Sequence, residues 1–164
     1  MNSMNVRMIK EEDFPQVIAM NNDFVPAVTL LDHKKLMELK DQAQYIWIIE
    51  FENSICGFSI ILPPGASYDS DNYRWFSDRY SDFQYLDRVV IASEYQRKGL
   101  GRKVYDHWFA HSKGLPLLLE VNIKPMNEGS IKFHQKMGFL VAGEQDTEGG
   151  KKRVQYFVKE LPPS

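Results

Sequence analysis

The sequence has 164 residues, a length that suits one compact domain without a separate regulatory module. Its composition, 43% hydrophobic and 26% charged, is that of a folded globular protein and excludes intrinsic disorder for most of the chain. Lysine and arginine number 20 against 22 acidic residues, so the formal net charge is -2 and no global positive field recruits nucleic acid or an anionic membrane.

Membrane spans and targeting signals are not evident in the sequence. The longest apolar run, 55–62, is far shorter than the roughly 20 residues that a membrane helix requires. Residues 1–5 lack the charged and apolar regions of a secretory signal. The single cysteine, Cys56, has apolar neighbours, which favour a buried thiol over a disulfide or a metal ligand. We therefore expect a cytoplasmic protein that contacts neither nucleic acid nor membranes and holds no metal.

The first part of the chain predicts a strand, two helices and a β-hairpin, at 6–10, 11–22, 32–43 and 45–62. Acidic residues open the first helix, where the helix dipole favours negative charge. In the second helix Asp32 is a suitable N-cap, and apolar residues recur at helical spacing. The two hairpin strands are rich in β-branched and aromatic residues around a short polar turn.

The segment 63–81 shows no regular pattern, and we expect an irregular but ordered flap. Connections of this length are usually functional or disordered. The density of aromatic residues in this segment argues against disorder, so the flap should fold back on the body of the protein. Its aromatic and basic residues are Tyr68, Tyr73, Arg74, Trp75, Phe76, Arg79 and Tyr80.

The second half predicts a strand–helix–strand unit, then a short helix and a final hairpin, at 83–91, 99–112, 115–121, 129–137, 139–145 and 152–161. The crossover makes its two strands parallel and its connection right-handed. Gly138 is well placed to end the short helix. The elements together predict an α/β (α+β) domain with a mixed sheet.

The most informative stretch, 91–103, joins a strand to a helix through Gly99, Gly101 and four cationic residues. Free N–H groups and the helix dipole favour an anion at a helix start, and glycines let a phosphate approach the backbone. The glycine spacing fits neither a mononucleotide P-loop nor a dinucleotide fingerprint. Two alternatives stay open: a solvated basic helix start, and a nucleic-acid patch, which the small charged footprint disfavours.

Two motifs carry a family resemblance. Gln96-x-x-Gly99-x-Gly101 resembles the acyl-CoA pyrophosphate loop of the GNAT superfamily of acetyl-CoA-dependent N-acetyltransferases. The downstream run Asn127-x-x-Ser130-x-x-Phe133-His134-x-x-x-Gly138-Phe139 is similar to the second signature of that superfamily. The resemblance implies one GNAT domain over 1–164, with a mostly antiparallel sheet, a central parallel β-α-β crossover and flanking helices.

The resemblance also implies the residues that bind acetyl-CoA. The loop would wrap the pyrophosphate, largely through backbone N–H groups, while Gln96 shapes the turn. The strand would lie beside pantetheine, polarising the thioester carbonyl, and the short helix would contact the cofactor arm. The implied cofactor-binding residues are Val89, Val90, Ile91, Gln96, Arg97, Lys98, Gly99, Leu100, Gly101, Arg102, Asn127, Ser130 and His134.

Residues 72–76 and 85–90 are also similar to a bacterial GNAT subgroup, which implies that the flap covers the acceptor side. The implied acceptor-binding residues are Tyr73, Arg74, Trp75, Phe76 and Tyr80.

Acetyl transfer to an amine needs a base, because the acceptor is mostly ammonium at pH 7, and an acid to quench the thiolate. Glu120, at the end of a strand, matches a position where several relatives carry the base. Asp87 competes for that role. Each carboxylate could instead form an ion pair, Asp87 with Arg74 or Arg79 of the flap.

The residue at the position of the catalytic acid differs from the family pattern. Where the family usually has tyrosine, this chain has His134. An imidazole could donate to sulfur when protonated, or it could simply pack on the short helix, and the sequence leaves both roles open. Tyr105, His107 and His111 are better interpreted as core or surface.

The function that the sequence predicts is acetyl transfer from acetyl-CoA to the primary amine of a small or amino-acid-like molecule. Two alternatives stay open. The run 119–121 resembles that of protein acetyltransferases, which favours N-terminal or lysine acetylation, and loss of the usual tyrosine favours a catalytically weak CoA-binding module. A homodimer is among the assemblies that we expect.

Overall fold

The computed structural model describes residues 3–160, so the predicted end of the last strand at 161 lies outside the described residues. The helices and strands, in chain order, are β1 (Met4–Met8), α1 (Phe14–Asn22), α2 (His33–Gln42), β2 (Tyr45–Phe51), β3 (Ser54–Leu62), α3 (Asp71–Ser77), β4 (Gln84–Ile91), α4 (Leu100–Ala110), β5 (Leu117–Lys124), α5 (Glu128–Lys136), β6 (Leu140–Thr147) and β7 (Lys152–Lys159). Short 3-10 turns precede α1 and α4 and join β6 to β7.

The described residues form two compact units that alternate along the chain. Residues 3–66 and 86–111 make the first unit, which contains β1 to β3, most of β4, and helices α1, α2 and α4. Residues 67–85 and 112–160 make the second, which contains the start of β4, strands β5 to β7, and helices α3 and α5.

Strands of the first unit follow the order β1-β2-β3-β4, and β2 pairs antiparallel with both β1 and β3. The predicted hairpin is confirmed, and its turn places Glu52 and Asn53 at φ values of 51° and 67°, which suit a tight two-residue connection. The Asp32 side chain accepts a hydrogen bond from the Lys35 N–H, which confirms the predicted N-cap of α2.

The apolar side of α4 packs on the strands of the first unit, where Leu100 and Val104 contact Ile49, Phe51 and Cys56. The helix is shorter than predicted. Its buried residues are Leu100, Val104, Tyr105 and Trp108, whereas Phe109 is partly exposed. His107 and His111 pack edge-on to Trp47, which agrees with the structural role predicted for them.

Cys56 is fully buried, as its apolar context predicts. Its thiol lies 3.4 Å from the Ile49 carbonyl oxygen. Burial raises the pKa of this thiol to about 11, so it stays protonated at neutral pH. The cysteine is therefore part of the hydrophobic core rather than a nucleophile.

In the second unit β7 lies between β5 and β6 and pairs antiparallel with both. The start of β4 pairs in parallel with β5 through Gln84–Leu117 and Tyr85–Leu118. This parallel pair, joined by α4 in the chain, confirms the predicted crossover and the mixed, mostly antiparallel strand pairing. Gly138, at φ 93°, follows the end of α5 as predicted.

The segment 63–81 differs from the prediction, because residues 71–77 form the helix α3 rather than an irregular chain. Ser70 caps this helix by accepting a hydrogen bond from the Tyr73 N–H at 3.2 Å. Tyr73 and Phe76 are buried one turn apart. Ring contacts with Tyr85 and Tyr156 hold the segment against strands of its own unit, so it is ordered, as expected.

None of the helices among residues 3–160 is both long enough and apolar enough to cross a membrane.

Candidate active site

The loop between β4 and α4 has the shape that its glycines predict. Arg97 and Gly99 have φ values of 63° and 76°, and α4 begins directly after Gly99. The Gln96 side chain donates to the Ile91 carbonyl oxygen at 2.9 Å, so it bridges the turn. The first N–H groups of a helix lack intrahelical partners and favour an anion. Residues 97–99 are exposed, and the loop can therefore present this end of α4 to a phosphate.

The two glycines of the loop are there for different reasons. Gly99 has a left-handed backbone that disfavours any side chain. Gly101 lies inside α4 without a positive φ, and a Cβ built on it meets no protein atom within 4 Å. Neither backbone strain nor packing therefore requires glycine at position 101. The open space at position 101 leaves room for a phosphate to approach the backbone, which the predicted pyrophosphate loop requires.

The strand residues next to this loop are firmly held in the first unit. Val89 and Ile91 pack against the cluster that includes Leu100 and Val104, while Val90 is buried. A Cβ on Gly57 would collide with the Val90 carbonyl oxygen, so this glycine allows β3 to approach β4 closely. The backbone that the family resemblance places beside pantetheine is thus anchored by its own side chains.

Asp87 forms an ion pair with its neighbour Arg88, at 2.6 Å, and both side chains are more than 90% buried. The predicted alternative partners are wrong, since Arg74 pairs with Asp69 and Asp71, and Arg79 stacks on Trp75. Adjacent strand residues usually point to opposite faces, which is why the sequence did not suggest an Asp87–Arg88 pair. The buried pair favours a structural role for Asp87 over that of the base.

Arg88 extends this network to the connection between α1 and α2, a contact that no sequence pattern indicated. Its guanidinium donates to Asn21 Oδ1 at 3.1 Å, to the Thr29 carbonyl oxygen at 3.0 Å and to Thr29 Oγ1 at 2.9 Å. Hydrogen bonds to a charged group are among the stronger ones in proteins. Arg88 therefore fastens the α1–α2 connection to β4.

Glu120 lies half-buried on β5 in the second unit. The Tyr85 hydroxyl donates to Glu120 Oε1 at 2.6 Å. In the register of β5 and β7, Glu120 stands opposite Tyr156. The predicted base candidate thus lies between two tyrosine side chains.

Five aromatic residues surround this region of the second unit and form what we call the aromatic cluster: Tyr73, Trp75, Phe76, Tyr85 and Tyr156. Trp75 stacks on Tyr156 with ring centroids 4.1 Å apart, and Arg79 lies 3.9 Å above the Trp75 ring. Aromatic faces attract cations. A carboxylate beside such rings suits an alkylammonium acceptor.

Tyr156 is fully buried and takes part in a network that sequence reasoning missed. Its hydroxyl donates to Asn72 Oδ1 at 2.8 Å and accepts from Gln145 at 3.3 Å. Burial, followed by the charges of Glu120 and Asp71, raises the pKa of Tyr156. Tyr156 therefore stays neutral and fastens α3 to β7 through Asn72.

The acceptor-side residues predicted from the flap divide into two groups. Tyr73 and Phe76 are buried in the aromatic cluster, whereas Trp75 and Tyr80 are partly exposed. Arg74 is exposed and paired with acidic residues of its own segment. Trp75 and Tyr80 are therefore the partly exposed aromatic members of this set, and Tyr156 and Arg79 cover the two faces of the Trp75 ring.

We expect Gly143→Ala to displace Trp75, because a Cβ on Gly143 would lie 2.5 Å from Trp75 Cζ2. Overpacking of this kind costs about 1–3 kcal/mol, which chemical denaturation measures. The matched control is Gly129→Ala in the same unit, where a Cβ meets open space inside a helix and should be neutral or stabilising. Equal stability of Gly143→Ala and the wild-type chain would contradict the expected displacement.

His134 is only 7% exposed and packs against the rings of Phe133, Phe139 and Phe157. Its Nδ1 lies 2.7 Å from the Ser130 carbonyl oxygen, and because a carbonyl can only accept, Nδ1 carries a proton. Burial lowers the pKa of His134, and the bond to Ser130 offsets this only in part. A buried neutral imidazole is a poor proton donor. Of the two roles that the sequence leaves open for His134, the geometry therefore favours packing.

Burial of His134 also predicts how stability changes with pH. Its pKa in the folded chain lies below the ordinary value of 6.5, so the unfolded chain binds this proton more readily. Stability should therefore fall as the pH drops below about 6.5 and should not depend on this group above that value. We expect His134→Phe to flatten this acid dependence in denaturation midpoints measured at pH 7.5 and 5.5.

His107 adds to the same acid dependence, because burial and then His111 lower its pKa. The difference between wild type and His134→Phe isolates the contribution of His134. An unchanged slope in the variant would show that His134 already titrates normally in the folded chain.

Comparison with known proteins places the chain in a family. The model of the acetyltransferase (GNAT) family matches residues 8–139. The spermine/spermidine N(1)-acetyltransferase of Bacillus subtilis (strain 168) is 31% identical over 115 residues, which cover 68% of this chain and 66% of that protein. The chain belongs to the GNAT acetyltransferase family, which confirms the predicted superfamily.

Solved structures agree on the fold. Arabidopsis thaliana NAA60 in complex with acetyl-CoA gives a TM-score of 0.75 at 15% identity, covering 97% of this chain and 100% of that one. The ribosomal-protein-alanine N-acetyltransferase of Brucella melitensis gives 0.72 at 20% identity, covering 96% and 99%. At these identities the likeness extends to the fold alone, and it confirms the predicted GNAT-like fold class.

Proposed function

We propose that this chain transfers the acetyl group of acetyl-CoA to a primary amine of a small molecule, with polyamines such as spermidine and spermine as the first candidates. The observation that carries the proposal is Glu120, a half-buried carboxylate bound by Tyr85 beside the aromatic cluster. The curated relative named for spermine and spermidine supports the acceptor class, although the aligned region spans only 66% of its length.

Acetyl-CoA, in this proposal, binds with its pyrophosphate at the loop 96–102. The support is the open backbone at Gly101 and the exposed, uncapped start of α4. Val89 to Ile91 would run beside pantetheine. Asn127 and Ser130 at the start of α5, where the Asn127 side chain accepts from the Ser130 N–H, would contact the cofactor arm. When bound, acetyl-CoA supplies an activated thioester.

Glu120 acts as the base in this proposal. An alkylamine has a pKa near 10.4 and is mostly ammonium at pH 7, so it must lose a proton before it can attack. Glu120 accepts that proton, directly or through water, and the amine nitrogen then bonds to the carbonyl carbon as the carbon–sulfur bond breaks. The nitrogen loses its second proton as the amide forms, and the departing CoA thiolate takes up a proton and leaves as the free thiol. Asp87 stays in its ion pair with Arg88, and His134 holds α5 in place by packing.

The acceptor enters, in this proposal, past Trp75 and Tyr80, with Tyr73, Phe76 and Arg74 supporting the helix that carries Trp75. The partly exposed rings of Trp75 and Tyr80 support this assignment. Tyr156 and Arg79 cover the two faces of the Trp75 ring, so the acceptor would pass its exposed edge.

The test measures CoA thiol release from acetyl-CoA with a panel of amines: spermidine, spermine, lysine and short peptides with free N-termini. We expect turnover with the polyamines and little with the peptides. Preference for peptides would show that the acceptor is a protein rather than a small amine. Binding of acetyl-CoA without thiol release for any amine would show that the chain is a CoA-binding module rather than an enzyme.

A homodimer and a cytoplasmic location are also part of the proposal. Support for the dimer comes from Leu140 and Val141, which are exposed on β6, the last strand in the sheet order of the second unit. Sedimentation analysis tests the dimer, and a single monomeric species at working concentration would remove it.

A further inference from the structure

The hydrogen bond between Tyr85 and Glu120 follows from strand register. Tyr85 pairs with Leu118 across the parallel strands β4 and β5. Glu120 lies two residues beyond Leu118, so its side chain emerges on the same face of β5. A long tyrosine side chain can reach such a diagonal neighbour. The contact is therefore built into the pairing of the two strands.

Packing determines where the Tyr85 hydroxyl lies. Tyr85 is 1% exposed, and its ring is 5.5 Å from Tyr73 and 5.7 Å from Phe76, measured between centroids. Both neighbours belong to α3, which Ser70 caps and Tyr156 holds through Asn72. The helix α3 thus holds the Tyr85 ring in one orientation, and that ring determines where its hydroxyl meets the carboxylate.

Tyr156 does not share this contact, although it stands opposite Glu120 in the neighbouring strand. Its hydroxyl hydrogen is directed to Asn72 Oδ1 at 2.8 Å. Tyr85 donates its hydroxyl hydrogen to Glu120 Oε1 at 2.6 Å, a length typical of a strong hydrogen bond to a charged acceptor. The two buried phenols near Glu120 therefore have different tasks.

A glutamate side chain has three rotatable bonds, and a base must keep its oxygens within hydrogen-bond reach of the proton that it removes. We propose that Tyr85 is a positioning residue, which orients the Glu120 carboxylate for removal of the acceptor's proton. This inference rests on the proposed function, because it assigns Tyr85 a task in the same proton transfer. The aromatic residues of α3 then contribute to catalysis by holding Tyr85.

The test compares Tyr85→Phe, which keeps the packed ring and removes only the hydroxyl, with Tyr45→Phe. The Tyr45 hydroxyl donates to the His111 carbonyl oxygen at 3.4 Å, so this control removes a phenol hydrogen bond to the backbone of the first unit. We expect Tyr85→Phe to lower kcat roughly tenfold, because misplacing a catalytic group by a fraction of an ångström slows the reaction. The KM for acetyl-CoA should stay at its wild-type value, and the denaturation midpoint should fall only as far as the loss of one hydrogen bond requires. Tyr45→Phe should keep the wild-type kcat and KM.

A double variant separates positioning from an independent effect. In a Glu120→Gln background, Tyr85→Phe should cause no further loss, because there is no base left to orient. Wild-type kcat in Tyr85→Phe, or the same tenfold loss in both backgrounds, would overturn the inference while leaving the proposed function in place. Absence of turnover in the wild-type chain with every amine would overturn both.

Discussion

Replacing Glu120 by glutamine is expected to lower kcat roughly 10²–10⁴-fold, the range that a positioned base contributes. Glutamine has nearly the same shape, and its carbonyl oxygen can still accept from the Tyr85 hydroxyl, so the local packing should survive. What the amide cannot do is take a proton from the acceptor ammonium. Steady-state kinetics with spermidine measures the loss, and calorimetry with acetyl-CoA should show unchanged binding.

The matched control for this variant is Glu144→Gln. Glu144 belongs to the same unit, but its carboxylate is partly exposed and paired with Arg153 at 3.0 Å. Exposed ion pairs of this kind contribute little, so the control should keep wild-type kcat and lose at most about 1 kcal/mol of stability. If Glu120→Gln turned over as fast as the control, Glu120 would not be the base, and the proton would have to leave through another group.

Local signals in the sequence were sufficient for most of the fold. The polar turn at Glu52 and Asn53 defines its hairpin, and Asp32 starts α2, because each of these residues acts on its immediate backbone. The loop 96–102 could also be predicted, because its glycine spacing lies within one short stretch of sequence. Such features need no knowledge of distant contacts, and a sequence shows them directly.

The helix α3 was not predictable in the same way. Seven residues are too few to form a stable helix in isolation, since nucleation is unfavourable and propagation too short to offset it. The helix exists because Tyr73 and Phe76 pack against Tyr85 and Tyr156, which are distant in the chain. Its sequence signals, a Ser70 cap and a buried pair one turn apart, are weak without those partners.

The side-chain partners in the candidate site were also beyond the sequence. Glu120 could be nominated by its position in the chain, but its bond to Tyr85 depends on the register of β4 against β5. Asp87 pairs with Arg88 although the two are neighbours in β4, where alternation favours opposite faces. A pattern of residue types identifies candidates for chemistry, whereas strand register decides which of them meet.

Gly101→Val is expected to weaken acetyl-CoA binding more than roughly 100-fold. The added isopropyl group would occupy the space where the pyrophosphate approaches the start of α4. A Cβ at this position meets no protein atom within 4 Å, so the side chain would extend into that space. Loss of two charge-assisted hydrogen bonds at roughly 1.5 kcal/mol each amounts to about 3 kcal/mol, or somewhat more than a hundredfold in Kd. Isothermal titration with acetyl-CoA and with desulfo-CoA measures the change.

Position 101 tests the cofactor site more cleanly than position 99. A side chain on Gly99 would strain its left-handed backbone. Weaker binding in a Gly99 variant could then come from backbone strain as well as from a blocked site. At position 101, valine has a higher helix propensity than glycine, and the fold should be unaffected. The control Ala110→Val places the same side chain at the exposed far end of α4 and should bind acetyl-CoA normally. If Gly101→Val bound as tightly as this control, the pyrophosphate would not lie against the start of α4.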